Sequence, residues 1–310
     1  MKVTVFGALG FIGSHFIDEL IKRNSDCEII IVDKVTYAAN KDYAQSLSLK
    51  KNIKIIKSDL NDAQNYISDI EKSTFAINFA AESHVDNSIL NPEKFVETNS
   101  LGVTKAIWAC MKAKVSKFIQ ISTDEVYGST NSGEFDELSI LNPSSPYSSS
   151  KASGDLIALS FWKTFGYPIS ITRGCNTYGF RQFPEKLIPL AINKLKNREK
   201  IPLYGKGDQI REWIHVSDHA KAIIEVALNG GDGQIYNIGT MDRFTNLYVV
   251  NKIIKIMQTE PNDYIEFIED RKGHDIRYAI NSSKIRNELK WNNTISFDIG
   301  IYDLVQRSLK

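Results

Sequence analysis

A doubly wound α/β fold, a parallel sheet with helices on both faces, is predicted by three features of this 310-residue chain. Short β-rich runs alternate with helical stretches, several of those runs are apolar throughout, and a glycine triplet directly follows the first of them. The strand runs are 2–6, 28–32, 53–56, 75–79, 117–121 and 169–172. Strands buried on both faces read as near-continuous apolar sequence, which is the pattern of a parallel sheet. Between them, 11–23, 92–113 and 147–165 read as helices. Right-handed crossovers then gather the loops that follow the strands at one edge, where ligands bind in such sheets.

After about Arg173 the alternation weakens, and Pro184, Pro189 and Pro202 punctuate shorter elements. The chain therefore divides into a nucleotide-binding unit at 1–173 and a smaller α+β unit at 174–310, with 235–238 a strand able to return to the first sheet. No internal repeat or low-complexity segment interrupts this reading.

A hydrophobic content of 42% supplies a sizeable core. Lys and Arg number 38 against 37 Asp and Glu, so the net charge of +1 makes no electrostatic case for a nucleic-acid or membrane partner. Phosphate recognition must be local. Cys27, Cys110 and Cys175 are odd in number, far apart and in no metal-ligand pattern, which reads as packing residues in a reducing compartment and no metal. The first residues already form a strand, leaving no room for a signal peptide, and no apolar run spans a bilayer. The expectation is a cytoplasmic protein.

Gly7, Gly10 and Gly13 lie between the first strand and the first helix. Glycines there permit a tight turn and let backbone approach a pyrophosphate, while the helix N-terminus offers free N–H groups and positive potential. Phe11 and Ile12 belong to the same turn. Asp33 ends the second strand twenty positions later, placed to accept bonds from adenosine ribose hydroxyls, which favours NAD over NADP. Lys34 beside it weakens that preference, and a plain turn or capping role for Asp33 is the alternative. Asp59 and Leu60 after the third strand are placed to flank the adenine, and Ala80 and Ala81 after the fourth lie near the cofactor's middle.

Thr123, Asp124 and Glu125 follow the fifth strand at the ligand edge, and Tyr147 and Lys151 open the next helix behind Pro143 and Pro146. A Tyr and Lys four apart share a helix face, so the ammonium is able to lower the phenol's pKa and make it a base. Carboxylates after a strand are ordinarily solvated turn residues, and Tyr–Lys pairs are ordinarily surface contacts. Their occurrence together beside a nucleotide turn points instead to redox chemistry joined to acid/base chemistry. Oxidising a hydroxyl to a ketone acidifies the neighbouring carbon, and an acid/base pair there eliminates water.

Over nearly its whole length the chain resembles the extended short-chain dehydrogenase/reductase family, and within it the nucleotide-sugar 4,6-dehydratases. The likeness rests on the glycine turn, Thr36-Tyr37-Ala38-Ala39-Asn40, Ala80-Ala81-Glu82-Ser83-His84-Val85-Asp86 and Ser122-Thr123-Asp124-Glu125-Val126-Tyr127-Gly128. It continues through Tyr147 to Lys151, Gln182-Phe183-Pro184-Glu185-Lys186-Leu187-Ile188-Pro189, Gln209-Ile210-Arg211 and Gly273-His274-Asp275. Related 4-epimerases share the glycine turn and the Tyr–Lys pair but lack Asp–Glu.

The resemblance implies a Rossmann-type first domain and an NAD that ends the cycle as it began. Tyr147, assisted by Lys151 and Thr123, would take the 4-hydroxyl proton as hydride leaves C4. Glu125 would act as base at C5, Asp124 would protonate the departing 6-hydroxyl, and hydride would return to C6 to give a 4-keto-6-deoxy sugar. The substrate it implies first is dTDP-glucose; UDP-glucose or another hexose nucleotide, a 4-epimerase and a silent NAD-binding module are the other readings. For the diphosphate, Lys186, Arg211 and Arg271 are the candidate cations. By motif position Ser83, His84, Asn176, Leu187, Asn246 and His274 line the sugar-nucleotide path, and 201–204 borders the base.

Several positions depart from the family pattern. Gly174-Cys175-Asn176-Thr177-Tyr178-Gly179-Phe180 replaces Cys-Ser-Asn-Asn-Tyr-Gly-Pro, Asn87 stands where thymidine-nucleotide enzymes show Arg, and Lys272 and Ile276 differ beside Gly273. The helices at 92–113 and 147–165 carry apolar residues on more than one face, including Phe95, Val103, Ile107, Trp108, Leu156, Leu159 and Phe161. Relatives pair these helices into a four-helix interface, so a homodimer is expected.

Overall fold

The computed structural model describes residues 1–257, 264–271 and 273–309; Lys272 lies outside them. Alternating strand and helix produce β1 (Lys2–Phe6), α1 (Phe11–Arg23), β2 (Glu28–Asp33), α2 (Lys41–Ser48), β3 (Ile53–Lys57) and β4 (Phe75–Asn78). A helical segment follows in four parts, α3 (Val85–Leu90), α4 (Pro92–Val96), a π-helical turn (Glu97–Gly102) and α5 (Val103–Lys112). Then come β5 (Phe118–Thr123), α6 (Pro146–Phe165) and β6 (Ile169–Gly174). Among the described residues the main sheet has seven strands, all parallel, in the order β10-β6-β5-β4-β1-β2-β3, where β10 is Gln234–Ile238. This is a Rossmann-type order with one strand added beyond β6.

The remaining elements are β7 (Asn176–Tyr178), α7 (Leu187–Lys196), β8 (Ile201–Tyr204), β9 (Ile210–His215), α8 (Val216–Asn229), β11 (Arg243–Thr245), α9 (Asn246–Ile256), β12 (Ile265–Ile268), α10 (Ser283–Leu289) and α11 (Phe297–Leu309). They build two small sheets, β11-β9-β7 and β12-β8. The expected return of 235–238 to the main sheet occurs as β10 pairing with β6, and α8 packs against α1.

Period-two alternation decides which face each strand residue feeds. Val3, Val5, Ile29 and Ile31 pack with Phe16, Ile17, Ile223 and Ala227 on one face, while Phe6, Ile30 and Val32 pack with Ala106, Ile107 and Cys110 on the other. Each such side chain contributes about 1.5–3 kcal/mol on leaving water. A third core, including Ile192, Trp213, Ile253 and Phe297, packs around the two small sheets. All three cysteines are free and buried. No described helix is long and apolar enough to cross a membrane.

Three elements differ from expectation by more than one residue. β6 ends at Gly174 rather than 172. β5 runs to Thr123 rather than 121, because Ser122 and Thr123 keep pairing with Arg173 and Gly174 of β6. The helix expected over 92–113 is interrupted by the π turn, where the Asn99 side chain donates to the Glu82 carbonyl (3.0 Å) and Ser150 Oγ (2.9 Å). The apolar residues of these helices also sort by face: Phe95, Val103 and Ile107 are core, while Val96, Leu101, Trp108, Leu156 and Phe165 are exposed.

Candidate active site

The cleft runs along the edge where the strands end. At the head of α1 the N-cap is Gly10, with no side-chain cap, so helix N–H groups face the cleft. Gly7 has φ +69°, and a Cβ there would lie 2.4 Å from the Ala80 nitrogen, so the turn and β4's exit touch backbone to backbone. Gly7, Gly10, Phe11, Ile12, Gly13, Asp33, Asp59, Leu60, Ala80, Ala81, Tyr147 and Lys151 all line this one cavity.

Asp33 has a structural task of its own: its two oxygens accept the Leu9 and Val35 backbone N–H groups, at 2.9 and 2.8 Å. Burial raises its pKa, and these two bonds oppose the rise. Lys34 is drawn away from Asp33 into an ion pair with Asp59 at 2.6 Å.

At the reacting end, Thr123 Oγ1 donates to Asp124 Oδ1 (3.1 Å) and accepts from the Glu125 N–H (3.3 Å). Asp124 is 2% exposed, which excludes a solvated turn residue, and its Oδ2 has no partner among the described residues. Burial, with Glu125 and Glu212 nearby, lifts its pKa well above the ordinary carboxylate range. Glu125 is raised by burial too, against the opposing charges of Arg211 and Lys186.

Lys151 makes no hydrogen bond to Tyr147 among the described residues. The ammonium donates to the Ile121 carbonyl at 2.6 Å, and burial lowers its pKa to about 8. The phenol's pKa is raised, by burial first and then by Glu125 and Asp124, with hydrogen bonding from Thr123 opposing. The i,i+4 spacing places both groups in the cavity; which carbonyl captures the ammonium depends on β5, thirty residues away.

A second cavity adjoins the first, lined by Ser83, His84, Asn176, Lys186, Leu187, Arg211, Asn246, Arg271 and His274. Ser83, Glu125, Asn176 and Lys186 line both, so Glu125 stands at the junction. Lys186 donates to the Ser83 carbonyl at 2.8 Å, and burial lowers its pKa. Arg211 lies 4.2 Å over the Tyr278 ring and donates to the Asp275 carbonyl at 3.0 Å. Arg271 pairs with Asp86 (2.5 Å) and stacks on Tyr204, and His274 Nδ1 is 2.6 Å from Asp270. Asn246 reaches Gln209 at 3.5 Å, and Asn176 Oδ1 is buried without a partner among the described residues.

Sequence reasoning missed Tyr278. Its hydroxyl donates to Asp275 Oδ2 (2.7 Å) and lies 3.5 Å from Glu125 Oε2. The signal was its place three residues after Asp275. Of the departures from the family pattern, Thr177 bonds His219 Nδ1 at 2.7 Å, while Asn87 and Ile276 are exposed.

Residues 4–304 match the family model described as GDP-mannose 4,6 dehydratase. The low-salt glycan biosynthesis protein Agl12 of Haloferax volcanii is 42% identical over 97% of this chain and 96% of its own length. A dTDP-glucose 4,6-dehydratase of Streptomyces niveus is 38% identical, covering 99% of this chain and 92% of its own. The crystal structure of the Streptomyces venezuelae dTDP-glucose 4,6-dehydratase DesIV, with NAD and dTDP bound, superposes with a TM-score of 0.96 at 38% identity, over 99% of this chain and 96% of that one. With a matching family model across almost all of its length and relatives at this identity and coverage, the chain belongs to the GDP-mannose 4,6 dehydratase family.

Proposed function

We propose that the chain is an NAD-dependent 4,6-dehydratase of a nucleotide-activated hexose, converting dTDP-glucose to dTDP-4-keto-6-deoxyglucose. One observation carries this reading: Asp124, Glu125, Tyr147 and Lys151 share a cavity that joins a nucleotide turn to a cation-lined pocket. The uncapped α1 terminus and the close approach at Gly7 fit a dinucleotide pyrophosphate. Asp33 fits the adenosine ribose, Asp59 and Leu60 the adenine, and Ala80 and Ala81 the cofactor's middle. When bound, NAD supplies the hydride acceptor at C4 and the hydride donor at C6.

The chain's own groups move the protons. As the phenolate, Tyr147 takes the C4 hydroxyl proton, with Thr123 as its hydrogen-bond partner and the Lys151 ammonium as the nearby positive charge that favours the phenolate. Once C4 is a ketone, the C5 proton is acidic enough for Glu125, which Arg211 and Lys186 help to keep ionisable. Asp124, held protonated by burial, gives its proton to the departing 6-hydroxyl. Two neighbouring carboxyls with different surroundings thus divide into acid and base. Lys186, Arg211 and Arg271 face the diphosphate, and Ser83, His84, Asn176, Leu187, Asn246 and His274 border the sugar nucleotide.

Substrate deuterated at C4 is expected to give product that is one water lighter, deuterated at C6 and carrying solvent hydrogen at C5. Loss of the C4 label to solvent overturns the mechanism, and a product of unchanged mass points to epimerisation. Asn87, which offers no guanidinium at an exposed position of α3, favours UDP-glucose as the second reading, and assaying both nucleotides side by side decides between them. The exposed face of Val96, Leu101, Trp108, Leu156 and Phe165 supports a homodimer built on α4, α5 and α6. Three buried free cysteines support a cytoplasmic location.

A further inference from the structure

We propose that Arg181 is the counter-ion of the cofactor's pyrophosphate, reaching it from the loop that leaves β7; this rests on the NAD reading above. Arg181 lines the cofactor cavity together with Gly10, Phe11, Ile12 and Gly13, although it lies far from them in sequence. Its side chain is 10% exposed, and its Nε is buried without a hydrogen-bond partner among the described residues. Buried guanidinium N–H groups rarely go unsatisfied, so an unpaired donor on the wall of an anion-binding cavity marks a ligand contact.

The rest of the side chain is held in place. Nη2 is 2.5 Å from Asp18 Oδ2 of α1, and the guanidinium lies 4.4 Å over the ring of Tyr43 of α2. The Tyr43 hydroxyl is itself 2.7 Å from Asp18 Oδ1. His15 Nε2 lies 2.7 Å from the Phe180 carbonyl, fixing the loop against α1, and Arg181 sits at φ +66°, a conformation that non-glycine residues adopt only when their surroundings impose it.

Charge supports the same assignment. A dinucleotide pyrophosphate carries two negative charges, and a helix terminus offers about half of one positive charge. The other cations lining this cavity are engaged elsewhere: Lys34 with Asp59, Lys151 with the Ile121 carbonyl and Lys186 with the Ser83 carbonyl. Asp18 occupies Nη2, leaving the fork's remaining edge for phosphate oxygens.

The competing role is a latch that only ties the loop to α1. Nucleotide-free full-length protein is titrated calorimetrically with NAD, ADP and adenosine, in the wild type, Arg181→Met and Arg181→Lys. Arg181→Met is expected to weaken NAD and ADP binding by about ten- to a hundredfold, the range of a charged hydrogen bond, while adenosine changes less than about twofold. Arg181→Lys restores part of the loss. Equal weakening of ADP and adenosine, or unchanged ADP affinity, overturns the proposal, whereas a wild type that fails to bind NAD overturns the cofactor reading instead. Should Arg181→Met not fold, Asp18→Asn releases the guanidinium from its ion pair and is expected to tighten ADP but not adenosine; no tightening overturns the proposal.

Discussion

Replacing Asp124 by Asn removes a transferable proton from the site while nearly preserving its shape. The side chain is 2% exposed, Oδ1 accepts the Thr123 hydroxyl at 3.1 Å and Oδ2 is unpartnered, so the amide retains one bond and loses none that the carboxyl made. General-acid catalysis is worth about 10²–10⁴ in rate, which is about 2.7–5.5 kcal/mol of barrier. Dehydration is therefore expected to slow by that factor, while oxidation at C4, which depends on Tyr147, proceeds and reduced nicotinamide accumulates in a single turnover. Stability should move the other way. Burial raises the Asp124 pKa in the folded state well above the ordinary carboxylate value, so as pH rises past about 4 the unfolded chain releases a proton that the folded chain retains. Wild-type stability then falls with pH, by up to about 1.4 kcal/mol per unit from this group, until the folded pKa is passed. Asp124→Asn abolishes that slope, and its urea midpoint at pH 8 should equal or exceed the wild type's. Product formation within about tenfold of wild type would refute the assignment of Asp124 as the acid.

Lys151, its pKa lowered to about 8, should impose an alkaline limb on kcat/KM near that pH, and Lys151→Met should lack the limb as well as most of the rate. The same shift makes wild-type stability rise between about pH 8 and the unfolded value of 10.5, because only the unfolded chain still holds the proton; a flat stability profile there refutes the shift. Gly7→Ala forces a Cβ to 2.4 Å from the Ala80 nitrogen at φ +69°, costing about 1–2 kcal/mol for the backbone and about 1–3 for overpacking. Denaturant unfolding checks the sum, and a loss under about 1 kcal/mol would contradict the close approach. Trp108, 42% exposed and edge-on to Phe161 and Phe165, is the centre of the proposed dimer face; Trp108→Asp should sediment as a monomer, and a persistent dimer places the interface elsewhere.

What was legible in the sequence was local. The glycine turn, the apolar strands and the Tyr–Lys spacing each lie within a few residues, and each maps onto one turn, strand or helix. The rest was set across the chain. Thr123 belongs to β5 because β6 offers a partner for it, and the Lys151 ammonium donates to the Ile121 carbonyl at 2.6 Å. Asp33 sits where its carboxylate also closes the Leu9 and Val35 turns, a task no strand-end aspartate announces. Tyr278 and Arg181 reach the site from segments after β6, and their neighbours Glu125 and Asp18 are more than a hundred residues away in sequence.

The π turn at Glu97–Gly102 acts as a phase shift in the long helix beside the sheet. One surplus residue per turn rotates everything beyond it by roughly 100° relative to a plain α-helix, which is how Asn99 faces Glu82 and Ser150 while Val103 and Ile107 still reach the core. The neighbouring helix accepts the bulge only because Gly154 has no side chain; a Cβ there would lie 2.6 Å from the Asn99 carbonyl. The two features form a lock and key within one chain. Deleting a single residue between 97 and 102 would straighten the helix, but it would swing Asn99 off the loop after β4 that carries Ala80, Ala81 and Glu82, so a length change remote from the chemistry would be felt at the cofactor wall.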